Sequence, residues 1–400
     1  MVKLLMLTPQ VPYPPRQGTA LRNWGILQGL AAHCEVSLLS FAAPDQSQDA
    51  PELLASTVAR AALIPQPVRT MKDRLLDLVR ASRPDLALRL QSAAFREQLV
   101  SWLDVEHFDW VLAEGLEMAP YLDAVWGHQA HPRVALDAHN CEYLLQKRAF
   151  LTDLTRPKRW AGAAYSFVQW RRLRRYEAEV CRKADLVIAV SDHDGAALRA
   201  IAPGVTPLLI PNGISVADYG AFGEAAALQQ PAFVFTGTMD FRPNVDGVLW
   251  FVREVWPRIR AALPGAHFYV VGKRPHRRLE PLREVPGVVI TGGVPDTRPF
   301  IRAATVYVVP LWVGGGTRFK ILEAGAMQKP MVSTSLGAEG FPDVGTALTL
   351  ADDADSFARA CIGLVEDRTL RDALGARAGD FVASYDWQAL LPRMIRRLQQ

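Results

Sequence analysis

Short apolar runs, rich in β-branched residues and bounded by small or polar ones, recur along the chain. In the first half they occupy residues 3–8, 36–41, 110–113, 133–137 and 184–191. In the second half they occupy 232–238, 267–272, 288–291, 306–309 and a run beginning at Met331. Unbroken apolar runs of this length predict strands covered on both faces, as in parallel sheets. Between them the apolar period changes to that of a helix. Leu21, Trp24, Leu27 and Leu30 recur at that spacing behind Thr19, which is placed to cap the helix, and a second helix is predicted over about 245–263. Strands alternating with helices in both halves predict an α/β chain with two parallel sheets, each covered by helices on both faces, and a ligand in the crevice between them.

Four hundred residues exceed what one core usually serves. The predicted division is 1–205, 206–380 and a closing amphipathic helix at 381–400 that packs back on the first domain, with 215–231 as a linker. Half the residues are hydrophobic and 22% are charged, an ordinary balance for a globular protein. No apolar run approaches the roughly 18 residues needed to cross a bilayer. The apolar start ends at Thr8-Pro9, short for a signal peptide, so it reads as a first buried strand of a cytoplasmic protein. Cys34, Cys141, Cys181 and Cys361 show no CxxC spacing and read as buried, reduced thiols.

The net charge of +4 is uneven. Residues 156–183 hold nine basic and two acidic residues, interleaved with Trp160, Tyr165, Phe167, Trp170 and Tyr176. That pattern suits either a helix lying on anionic headgroups at the inner face of the plasma membrane or a partly buried helix with a solvated basic face. No nucleic-acid recognition motif accompanies it.

Candidate chemistry gathers at strand ends. The stretch Gly314-Gly315-Gly316-Thr317-Arg318-Phe319-Lys320-Ile321-Leu322-Glu323 follows one strand and opens a helix. Glycines allow close backbone approach, and the helix start offers N–H groups and a positive dipole end to an anion. Arg318 and Lys320 sit where the dipole disfavours cations, so a bound diphosphate accounts for them, and Glu323 lies where a carboxylate can accept from ribose hydroxyls. The alternative is a flexible loop before a surface helix. Gly237 ends another strand, and Arg242 after it is either a phosphate ligand or a surface arginine. Gly18 either admits a phosphate or sugar or relieves a turn. Glu114 ends a strand on the side where an acceptor would bind. Asp137-Ala138-His139-Asn140-Cys141-Glu142 ends another, placing His139 with Asn140 and Glu142 where they can bond a sugar hydroxyl; the Asp-x-His fragment of a metal site lacks a second cluster. Neither GxGxxG nor a Walker sequence is present, which speaks against an ordinary NAD site and against ATP hydrolysis.

Taken together, these residues resemble the retaining glycosyltransferases of family 4, with the GT-B fold of two Rossmann-like domains. The carriers are the proline-rich opening with Gln17-Gly18, the strand ending at His139, Ala184 to Ser191, Ile210-Pro211-Asn212-Gly213-Ile214, Phe235-Thr236-Gly237, and Leu322-Glu323-Ala324 leading to Lys329-Pro330-Met331-Val332. The runs 237–246 and 314–324 are similar to the sugar transferases associated with bacterial exopolysaccharide and exosortase systems.

The resemblance implies a nucleotide-diphosphate sugar, UDP- or GDP-linked, held without metal or other cofactor. Glu323 would bind the ribose, Gly316-Thr317-Arg318 the diphosphate, and His139 the donor sugar. The acceptor would be a glycan or a lipid-linked hydroxyl. The family's other glutamate would fall where this chain has Gly315, so a covalent intermediate at that position is excluded. Two other readings remain open, a nucleotide-sugar epimerase of the same fold and a non-catalytic, membrane-peripheral binder of nucleotide sugars.

Overall fold

The structure is a computed structural model describing residues 1–15, 18–43, 51–155, 159–313, 318–342 and 344–400. Gln17, Arg156, Lys158 and the loop members Gly314, Gly315, Gly316 and Thr317 lie outside the described residues. The chain forms two compact units, Met1–Pro211 with Leu390–Gln400, and Asn212–Ala389. These breaks lie six and nine residues beyond the boundaries expected after 205 and 380.

The first unit is built on a seven-stranded sheet, ordered β3-β2-β1-β4-β5-β6-β7. Its strands are β1 (Val2–Thr8), β2 (Cys34–Ala42), β3 (Arg60–Pro65), β4 (Trp110–Glu114), β5 (Arg133–Ala138), β6 (Leu186–Ala189) and β7 (Leu208–Leu209). All its ladders are parallel. Every residue of β4 is buried, which is why that strand reads as one apolar run. Phe41, Phe95 and Tyr121 pack ring to ring below it, with Phe41 and Phe95 stacked at 4.4 Å.

The second unit repeats the plan with six parallel strands, ordered β10-β9-β8-β11-β12-β13. They are β8 (Ala232–Thr236), β9 (His267–Val271), β10 (Val288–Gly292), β11 (Val306–Val309), β12 (Met331–Ser333) and β13 (Thr349–Leu350). Phe233, Phe251, Trp256 and Phe268 are fully buried against the sheet. At about 1.5–3 kcal/mol for burying one large apolar side chain, such clusters are what hold each unit together.

In both sheets the strand order reverses once, between β1 and β4 and between β8 and β11. Helices leave such a point toward opposite faces and open a crevice beyond the carboxyl ends of the strands. Glu114 ends β4, Gly237 follows β8, and the glycine stretch follows β11.

Three sequence expectations are corrected. The first helix begins at Gly18, so Thr19 lies inside it and accepts there through its carbonyl instead of capping it. The helix expected over 245–263 starts at Arg242, because Pro243 fits the first turn, and runs through a π-helical turn at Phe251–Val255 into Trp256–Ala262. The stretch read as a linker belongs to the second unit. It carries the helix Val216–Gly220, and Arg302 donates to the carbonyls of Gly220 and Phe222, fastening it down.

The helix Trp160–Lys183 packs along Glu142–Leu154 and buries Leu173, Tyr176, Ala178, Val180 and Cys181. The closing helix Trp387–Leu398 ends in the first unit, where the Trp110 indole donates to the Leu398 carbonyl at 2.9 Å. All four cysteines are free and buried. No helix among the described residues is long and apolar enough to cross a membrane.

Candidate functional site

In the first unit the register of β4 and β5 sets Glu114 beside Asp137. Both carboxylates are fully buried, a costly arrangement unless they are paired. The partners come from helix Gly18–Ala31 and from the turn after β5. Arg22 grips Asp137 with two bonds, Nε to Oδ2 at 2.6 Å and Nη2 to Oδ1 at 2.7 Å, and donates further to the carbonyls of Ile210 and Pro211. His139 Nε2 lies 2.9 Å from Glu114 Oε2 and 3.5 Å from Asp137 Oδ2. The Asn23 amide turns its nitrogen to Glu114 Oε2 at 2.9 Å and to the Thr19 carbonyl at 3.1 Å. Arg22 and His139 thus face two buried carboxylates.

Burial disfavours the charged imidazole, but Asp137 and Glu114 more than reverse this and push His139 up to about 10. Burial would raise Asp137, and Arg22 and His139 hold it below the ordinary carboxylate range instead. Glu114, further from the guanidinium, is pushed up to about 7 by burial and by Asp137. Its Oε1 is buried and accepts no hydrogen bond among the described residues.

Around the ring stand Gly115 at φ +91°, Glu117, Asn140 and Glu142. Glu117 is drawn to Arg89 at 2.7 Å. Burial and the Glu117 charge push Glu142 up to about 7, while Asn140 donates to it at 3.4 Å. The start of helix Glu142–Leu154 is already occupied, since its Glu142 and Tyr143 N–H groups donate to the buried Glu177 carboxylate. Glu114, Asp137 and His139 offer ligand atoms within 4.8 Å of one another, so the fold completes the Asp-x-His fragment with a second carboxylate. A cation there would compete with Arg22 for the oxygens of Asp137 and with the proton on His139 Nε2.

The second unit carries the other group. Arg318 holds the N-cap position of helix Phe319–Ala326; burial lowers its pKa, and Glu339 opposes the shift. Lys320 Nζ donates to Asn244 Oδ1 at 3.1 Å and lies 3.9 Å from the centre of the Phe235 ring. Burial, then Arg318, bring Lys320 down to about 7. Glu323, on the same helical face, accepts from the Tyr219 hydroxyl at 2.9 Å, and burial raises its pKa. Gly237 must lack a side chain, because a Cβ would lie 2.7 Å from Asn244 Nδ2 and 3.3 Å from Lys320 Nζ.

Within the first unit the fold gathers Glu114, His139, Asn140 and Glu142. Within the second it gathers Gly237, Lys320 and Glu323, with Arg318 at the head of the same helix. Arg242 sits in the first turn of its helix, bonded to Asp246 at 3.2 Å. Gly18 is the first residue of its helix. Gly315, Gly316 and Thr317 lie outside the described residues. Arg22, Asn23, Asn244 and Tyr219 carry no motif that marks them in the sequence, yet each bonds a residue of one of these groups. Arg22 stands next to apolar Leu21 and near Trp24, a position whose burial would have been the signal.

The chain is similar to known proteins in sequence and in fold. The profile described as Glycosyltransferase Family 4 matches residues 18–218, half of the chain, and that described as Glycosyl transferases group 1 matches 230–367. A phosphatidyl-myo-inositol mannosyltransferase of Mycolicibacterium smegmatis is 30% identical over 205 residues, 47% of this chain and 50% of that one. Another of the same name from Propionibacterium freudenreichii is 28% identical over 226 residues, 53% and 55% of the two. The chain spans about half the length of the curated relatives it matches. Sucrose-phosphate synthase of Thermosynechococcus elongatus superposes with a TM-score of 0.71 at 16% identity, covering 100% of this chain and 99% of that one. Anabaena HepE with UDP and glucose gives 0.67 at 14%, covering 99% of each. The structural likenesses fix the fold as GT-B, and the profile matches establish that the chain belongs to the family 4, group 1 glycosyltransferases.

Proposed function

We propose that this chain moves a sugar from a nucleotide-diphosphate sugar to an acceptor hydroxyl with retention of anomeric configuration. The observation that carries the reading is the placing of Lys320 and Glu323 on one face of the helix that follows β11, at the reversal point of the second sheet. Glu323, steadied by Tyr219, accepts from the ribose hydroxyls. Lys320 and Arg318 meet the diphosphate beside the start of that helix. In support, Anabaena HepE has been solved with UDP and with UDP-glucose.

Departure of the sugar builds negative charge on the β-phosphate, and catalysis is then largely the stabilisation of that charge by groups already in place. Lys320, Arg318 and the helix N–H groups supply it, with Arg242 in reach once it leaves Asp246, so the reaction needs no metal or other cofactor. With glycine at 315 no side chain there can form a covalent intermediate. The acceptor hydroxyl attacks from the face the diphosphate leaves, and a phosphate oxygen takes its proton.

A lipid-linked or glycan acceptor, as in surface or exopolysaccharide assembly, fits a second feature. Trp160, Phe167, Leu151 and Leu154 are 43–61% exposed. Arg171, Arg174 and Arg175 continue the exposed stripe of the same helix as Trp160 and Phe167. Apolar tips beside arginines suit an anionic bilayer, and the curated relatives are named for a phospholipid substrate. The test is turnover of UDP- and GDP-sugars with a lipid-linked acceptor, reading the new anomeric configuration by NMR coupling. Retained configuration, with turnover lost in Lys320→Ala, supports the reading; unchanged turnover in Lys320→Ala and Arg318→Ala overturns the phosphate site.

A further inference from the structure

Lys320 and Glu323 carry opposite charges three residues apart on the helix Phe319–Ala326, a spacing at which a lysine and a glutamate can pair with each other. Each is bonded elsewhere instead. Glu323 accepts from the Tyr219 hydroxyl at 2.9 Å, and Lys320 Nζ donates to Asn244 Oδ1 at 3.1 Å. Asn244 stands in the first turn of the helix Arg242–Trp250 and is buried. Its amide is held one way round, because Nδ2 donates to the Thr238 carbonyl at 2.9 Å, which leaves the oxygen for Lys320. The ammonium also lies 3.9 Å from the centre of the fully buried Phe235 ring, a contact that favours a cation. A Cβ at Gly237 would come 2.7 Å from Asn244 Nδ2 and 3.3 Å from Lys320 Nζ, so the residue after β8 is kept bare for this arrangement.

We propose that Asn244 is a positioning residue: with the Phe235 ring it holds the Lys320 ammonium away from Glu323, so that Lys320 keeps its charge for a phosphate oxygen of the nucleotide and Glu323 keeps its carboxylate for the ribose. This rests on the reading above that Lys320 meets the diphosphate. An amide suits the task because its oxygen is neutral. It fixes the ammonium without cancelling the charge, whereas a carboxylate in its place would neutralise it. Of the three N–H donors of the ammonium, Asn244 takes one. A cation held in this way needs no reorganisation when negative charge develops on the departing phosphate. All the parts belong to the second unit: the end of β8, the loop after it, the helix Arg242–Trp250 and the helix that follows β11.

A double-mutant cycle in nucleotide affinity tests this, because a residue that works through Lys320 has nothing further to lose once Lys320 is gone. UDP, GDP and ADP are titrated by calorimetry near pH 6, where Lys320, brought down to about 7, is mostly charged. Asn244→Ser, too short to reach the ammonium, weakens the nucleotide that binds by about tenfold, the scale of a hydrogen bond to a charged group. In a Lys320→Met background the same substitution changes affinity by less than about twofold. Asn244→Ala is the second variant and shows the same dependence. Neither residue asks more of a helix than asparagine does, and thermal unfolding without nucleotide checks that each variant is folded. An equal loss in both backgrounds, or no loss from Asn244→Ser and Asn244→Ala, overturns the proposal and leaves the diphosphate site standing. Lys320→Met binding as tightly as the wild type, or no binding of any of the three nucleotides, overturns the reading beneath it.

Discussion

Arg22 and Asp137 close on each other through two bonds, 2.6 and 2.7 Å long, with side chains 2% and 0% exposed. The guanidinium also donates to the carbonyls of Ile210 and Pro211, so one side chain ties the end of β5 to the segment that follows β7. A buried pair is strongly destabilised when one partner goes, because the other is left as an uncompensated charge. Arg22→Met should therefore cost about 3–5 kcal/mol in urea unfolding. Arg22→Met combined with Asp137→Leu should cost less than Arg22→Met alone; a larger cost would show that the pair is a net source of stability.

Lys320 gives the binding site a pH dependence of known sign. Burial and Arg318 lower it to about 7, so near pH 8 it is largely neutral in the free protein. A diphosphate beside it favours the charged form, and binding should then take up a proton. Affinity for a nucleoside diphosphate should fall as pH rises above 7. Calorimetry at pH 8 in buffers of different ionisation enthalpy reads the uptake directly. Lys320→Arg, charged throughout, should bind with much smaller uptake, and an unchanged uptake would place the titrating group elsewhere.

The exposed stripe from Trp160 to Arg175 should bring the protein to vesicles containing anionic lipid and not to neutral ones. Trp160→Ala with Phe167→Ala should weaken sedimentation with such vesicles, and raising salt should weaken it further, since each arginine near an anionic surface contributes about 1 kcal/mol. Equal binding to neutral vesicles would contradict this placement.

Much of this architecture could be read in advance, for a physical reason. Parallel strands covered on both faces are continuous apolar runs, so 110–113 and 306–309 are recognisable without their neighbours. Strand ends in such sheets are where ligands bind, which brought out Glu114, His139 and the glycine stretch. The partners that charge these groups come from distant parts of the chain and carry no local signal. Arg22 looks like an ordinary polar position of an amphipathic helix until Asp137 is known to face it. Tyr219 sits in a stretch whose alanines, glycines and glutamines resemble a linker, and only the fold brings its hydroxyl to Glu323. Glu114, an acceptor-side candidate by its place at a strand end, is fully buried and bonds His139, a pairing that spacing along the chain does not reveal.

The central claim is that the second unit binds a nucleotide-diphosphate sugar through Glu323, and thermal unfolding with UDP, GDP, ADP and their common sugar conjugates tests it most directly. A ligand at 100 times its Kd stabilises the native state by about 2.7 kcal/mol. One nucleotide family should raise the wild-type Tm, with the shift lost in Glu323→Ala and reduced in Tyr219→Phe. No shift with any of them, or a shift that Glu323→Ala leaves intact, would contradict the claim.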